Sequence, residues 1–79
     1  MINGLVLITM DSWITDEMRD RIRGTSLANA KQLICGTVRN DLILDVAANS
    51  AKDLNAALGT FAEVQGVKGI TLLRVTPGS

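Results

Sequence analysis

Seventy-nine residues with eight Lys and Arg against eight Asp and Glu bound the chain to one small domain of zero formal charge. A neutral chain generates no broad field to attract nucleic acid or an anionic membrane. One cysteine, Cys35, excludes an intramolecular disulfide, and the absence of histidine removes the commonest zinc and copper ligand.

Residues 3–10 (Asn-Gly-Leu-Val-Leu-Ile-Thr-Met) are apolar on both alternating faces, which predicts a central strand covered on both sides. This run lacks a basic leader and is too short to span a bilayer or serve as a signal peptide. Asp11-Ser12 offers a helix N-cap, with Asp16 and Glu17 in the first turn. Ile14, Met18 and Ile22 form a four-residue helical stripe that Gly24 ends. Residues 24–29 are loop-like in composition, and residues 30–35 predict the second strand. A polar turn from Gly36 to Asp41 then separates two apolar runs, the pattern of a hairpin. Residues 41–47 predict the third strand, with Leu42, Leu44 and Val46 on one face and Ile43, Asp45 and Ala47 on the other.

Ser50-Ala51-Lys52-Asp53 reads as a capping box opening the clearest helix. Its stripe is Leu54, Ala57, Leu58, Phe61 and Val64, with Gly66 suited to a left-handed position at its end. Residues 69–76 predict the last strand, closed by Pro77-Gly78-Ser79. The order β-α-β-β-α-β is the ferredoxin-like arrangement, an α+β fold with two helices on one face of a four-stranded antiparallel sheet. The whole chain, 1–79, reads as a single such domain.

Such a sheet leaves one face bare, and apolar residues remain for it. A self-associated dimer is expected, its interface formed by Val6 and Ile8 of the first strand with Ile43 and Ala47 of the third. A domain this short buries only ~60–65% of its extended-chain surface, which makes oligomerisation a usual remedy. Other uses of the fold fail on residue type. RNA recognition needs sheet aromatics, and only Trp13 and Phe61 are present, both assigned to helical segments. Metal carriage and iron–sulfur ligation need more than one cysteine. Without histidine, hydrolysis would rest on carboxylates that helix capping already explains, so no enzyme is expected. Cys35 reads as a packing residue and Trp13 as a lid on the core, with a pocket-lining role open to it.

Three stretches resemble a known family: Asn-Asp-Leu-Ile-Leu-Asp-Val (40–46), Ser-Ala-Lys-Asp-Leu (50–54) and Gly-Val-Lys-Gly-Ile-Thr-Leu-Leu-Arg-Val (66–75). Together they look like the effector-binding and oligomerisation domain of Lrp/AsnC transcription regulators, over nearly the whole chain. Those regulators carry an N-terminal helix-turn-helix for which this chain has no room, so a stand-alone module is expected, and its composition suggests a cytoplasmic one. The resemblance implies a homo-oligomer with amino-acid sites near subunit interfaces around a Gly-x-x-Asp turn. Here four residues, not two, separate Gly36 from Asp41. Asp41 would accept from the ligand ammonium, and Gly36, Thr37 or Arg39 would donate to its carboxylate, with Asn40 completing the turn. The alternative is that these are ordinary hairpin residues.

A second resemblance runs through Ile-Asn-Gly-Leu-Val-Leu (2–7) and Val-Gln-Gly-Val-Lys-Gly-Ile-Thr-Leu-Leu-Arg-Val (64–75). Both are similar to NapD-type chaperones, ferredoxin-like proteins that bind the twin-arginine signal peptide of a periplasmic nitrate reductase. It implies a peptide on the sheet instead of a second subunit. The closing Leu73-Arg74-Val75 departs from that pattern, where a tyrosine is expected. Neither resemblance implies a cofactor.

Overall fold

A computed structural model describes residues 1–77, so Gly78 and Ser79 of the expected C-terminal close lie outside the described residues. The elements are β1 (Ile2–Met10), α1 (Asp16–Arg23), β2 (Ala30–Val38), β3 (Asp41–Ala48), α2 (Ala51–Ala62) and β4 (Val67–Pro77). The strands form one antiparallel sheet in the order β2-β3-β1-β4, and the fold is ferredoxin-like α+β. Among the described residues, no helix is long and apolar enough to cross a membrane.

The core lies between the helices and one sheet face. Val6, Ile8 and Met10 of β1 alternate into it, as do Leu42, Leu44, Val46 and Ala48 of β3. Against them pack Ile22 of α1 and Leu54, Ala57 and Phe61 of α2. The helix stripes read from sequence therefore face the core, with Ile14, Met18, Leu58 and Val64 packed at its margin. Gly4 lets α2 approach: a Cβ there would sit 2.9 Å from a Leu54 methyl. Ser50 caps α2, accepting from the Asp53 N–H at 3.2 Å while its hydroxyl donates to the Asp53 carboxylate at 3.1 Å. Gly66 has φ of 93°, the left-handed position expected of it, in the turn between α2 and β4.

Four local expectations are corrected. Helix α1 begins at Asp16, because Thr15 and not Asp11-Ser12 caps it, accepting from the Met18 N–H at 3.2 Å. Residues 11–15 are consequently a loop, and Trp13 lies in it 73% exposed, not as a core lid. Strand β2 continues through Gly36, Thr37 and Val38, leaving only Arg39 and Asn40 as the hairpin tip. A register shift between Ile34 and Gly36 places Cys35 in a bulge, where it is exposed instead of packed.

A polar residue of β2 completes the α1 end. Gln32 points to the helix side and donates through Nε2 to the carbonyls of Ile22 (2.7 Å), Thr25 (3.2 Å) and Arg23 (3.3 Å). Those carbonyls lie at and just beyond the helix C-terminus, where intrahelical donors run out; that of Ile22 also accepts from the Thr25 N–H at 3.1 Å.

Candidate functional site: the helix-free sheet face

Residues directly opposite in a sheet share a face, so the register assigns the side away from the helices. Four cross-strand rows compose it: Lys31-Ala47-Asn3-Thr76, Leu33-Asp45-Leu5-Arg74, Gly36-Ile43-Leu7-Thr71 and Val38-Asp41-Thr9-Gly69. Leu5, Leu7, Ile43 and Ala47 are half-buried at its centre, while Leu33 and Val38 on the edge strand are 67% and 64% exposed. The face is therefore an apolar band with charges set into it.

Val6 and Ile8, expected at this surface, are both 0% exposed on the opposite face. The error is one of parity, since β1 is apolar at consecutive positions and a shift of one residue exchanges the faces. Ile43 and Ala47 do lie on the helix-free face, and Leu5 and Leu7 occupy the places expected of Val6 and Ile8. A signal for this was present. Asn3 and Thr9, the polar residues of β1, share the parity of Leu5 and Leu7.

The charged groups are specific in placement. Asp41 and Asp45 both sit on β3, a central strand, about 13 Å apart along it. Thr9 donates to Asp41 at 3.0 Å and Asn3 donates to Asp45 at 3.1 Å. Neither carboxylate has a cationic partner among the described residues; the ion pairs there, Arg19–Asp16, Arg21–Glu17 and Arg23–Asp20, are all on α1. Each carboxylate offers about four acceptor positions, so a single neutral donor leaves most of that capacity free.

The hairpin tip is engaged internally. Met10 donates its N–H to the Asn40 carbonyl at 2.8 Å, and the Asn40 amide donates back to the Met10 carbonyl at 3.1 Å. Ile14 donates to the Arg39 carbonyl at 2.8 Å. Gly36 and Thr37 are strand residues, not a loop cradle, and neither described cavity touches the tip. Of the constellation Gly36, Thr37, Arg39, Asn40 and Asp41, only Asp41 joins the open face with spare acceptor capacity. The structure does not gather the others around a ligand-sized space.

The concave surface lies at the other end of the sheet. A cavity of about 520 Å³ is lined by Met1, Asn29, Ala30, Lys31, Ala47 and Asn49. A second, of about 220 Å³, is lined by Asn3, Lys31, Gln32, Leu33, Asp45 and Ala47. They share Lys31 and Ala47 and so form one groove rising onto the open face. Lys31 and Asp45 line it together without pairing with each other. Among the described residues, no group of three or more His, Cys, Asp or Glu side chains is arranged to hold a metal ion.

What the fold and site define is a small ferredoxin-like domain with one sheet face uncovered by helices. No protein-family model, curated protein or solved structure matches this chain.

Proposed function

We propose that this chain is a non-enzymatic peptide-binding module of the NapD chaperone type, holding a basic, apolar-flanked signal peptide on its helix-free sheet face in the cytoplasm. One observation carries the proposal: among the described residues Asp41 and Asp45 form no ion pair, at the centre of a face that sets Leu5, Leu7, Leu33 and Ile43 around them and carries its own cations, Lys31 and Arg74, on the two edge strands. A face meant only to be solvated has no need of that apolar band, and one meant only for apolar packing would not retain two carboxylates. A peptide with adjacent arginines and an apolar run matches both features, because guanidinium forks bond carboxylates in pairs while apolar side chains cover the leucines. The 13 Å or so between the carboxylates is within the combined reach of two long side chains.

Calorimetry with a synthetic twin-arginine peptide tests this. Binding is expected, weakened by replacing both arginines with alanine and weakened again in Asp45→Asn. Equal affinity of the protein for the double-alanine peptide would sink the carboxylate assignment.

A second reading is favoured by the groove. Lys31 and Asp45 supply opposite charges across one small cavity, which suits the carboxylate and ammonium of an amino acid. An Lrp/AsnC-type module that binds an amino acid and self-associates through the open face would use it, with the ligand at Lys31 and Asp45 and not at the hairpin. Heat evolved with free amino acids, lost in Lys31→Met, together with a mass of at least two chains, would favour this reading over the chaperone.

A further inference from the structure

The peptide reading leaves one large apolar side chain unused. Trp13 is 73% exposed, the most exposed of the large hydrophobic residues. A single exposed apolar residue is ordinary on a protein surface, so exposure alone decides nothing. The loop that carries it is the second observation. Residues 11–15 are held at both ends: Asp11 donates to the Gly66 carbonyl at 2.9 Å, and Ile14 donates to the Arg39 carbonyl at 2.8 Å. The preceding Met10 is clasped by Asn40 through its N–H and its carbonyl. Thr15 then enters α1 as its cap. The indole is therefore presented by a fixed backbone.

The charge at this end is complementary to a cation. Asp11 and Asp41 have no ion pair among the described residues. Asp41 is bonded to Thr9, two residues before Asp11 on the same chain segment. The cation of the hairpin tip is Arg39, exposed, and Asp16 and Glu17 beyond the loop are already paired with Arg19 and Arg21. An aromatic face and unpaired carboxylates at the same end of the sheet both favour a guanidinium, the one by its quadrupole and the others by their charge.

We infer that Trp13 is a stacking platform for an arginine of the bound peptide, extending the site past the sheet at its hairpin end; this rests on the peptide reading above. Trp13 forms one pole of the site and the groove at Met1 and Lys31 lies at the other, so a bound peptide runs along β3 with one arginine at the hairpin end, between Asp41 and Trp13, and the other at Asp45.

Trp13 is the sole tryptophan in a chain without tyrosine, so intrinsic fluorescence reports on it directly. The test titrates the protein with a synthetic peptide of two adjacent arginines followed by an apolar run, and with its dilysine counterpart, following emission and calorimetry in parallel. Expected are an emission change saturating at the calorimetric Kd, weaker binding of the dilysine peptide, and a loss of affinity of about three- to thirtyfold in Trp13→Ala. Trp13→Phe, which keeps an aromatic face, retains most of the affinity. Circular dichroism confirms that the variants are folded. An unchanged Kd in Trp13→Ala overturns the platform while leaving the sheet-face reading to be tested by Asp45→Asn. No binding by the unaltered protein overturns both.

Discussion

Phe61 is the largest side chain with no exposure, and it sits where α2 meets β1 and β3. Truncating it leaves a cavity as well as forfeiting transfer energy, so Phe61→Ala should destabilise by about 3–5 kcal/mol in denaturant unfolding, enough to unfold much of so small a domain. A loss below about 1 kcal/mol would be incompatible with this core. Arg39 poses a different residue-level question. It holds φ at 56°, a left-handed conformation that disfavours branched and long L side chains and suits asparagine. Arg39→Asn should therefore raise stability by a few tenths to about 1 kcal/mol, read as a higher denaturation midpoint at unchanged slope. A fall would mean that the guanidinium makes a contact outweighing the backbone strain.

The elements depend on a few polar devices as much as on apolar stripes. Gln32 in β2 ties the end of α1 to the sheet through three carbonyls, a role invisible in a chain where it is one polar residue among several. Gln32→Leu keeps the volume but takes the side-chain donor from all three carbonyls, leaving only that of Ile22 with a backbone partner, the Thr25 N–H, and should cost about 1–3 kcal/mol. Hydrogen exchange should show the loss concentrated in the last turn of α1. The two-residue hairpin is likewise held from outside itself, by Met10 and Ile14, so its tip cannot open to admit a ligand without breaking those bonds.

At the level of the whole molecule, the two faces of the sheet predict opposite responses to the same substitution. Leu44 is fully buried beneath the helices, and Leu44→Glu should unfold the domain because the carboxylate would be buried unpaired. Its neighbour Ile43 lies on the open face, so Ile43→Glu should leave circular dichroism intact while altering whatever that face binds. In the peptide reading the added negative charge disturbs the apolar contacts, and light scattering reports no change of mass. In the self-association reading a two-fold interface repeats the glutamate on both subunits, and the mass halves. The same pair of measurements thus separates the core from the surface and one partner from the other.

Element order, helix stripes, the Ser50 cap and the faces of β3 were legible in the amino-acid sequence, because each rests on short-range periodicity that a single segment carries. The parity of β1 was not. Leu5, Val6, Leu7 and Ile8 are apolar without a break, so the one local hint is the parity of Asn3 and Thr9 at the two ends of the run, and the pairing of Val6 opposite Leu44 is what fixes which of them lie under the helices. The hairpin length was hidden for a similar reason: Gly36 reads as a turn residue until the bulge at Cys35 lets β2 run on to Val38. Cys35 and Trp13 were expected to be packed, and tertiary structure places both in contact with solvent, since neither bulge nor loop is encoded by hydrophobicity alone. Local composition determined which segments are strands and helices. Long-range register decided which side chains share the open face, because that assignment depends on pairs of residues about forty positions apart in the chain.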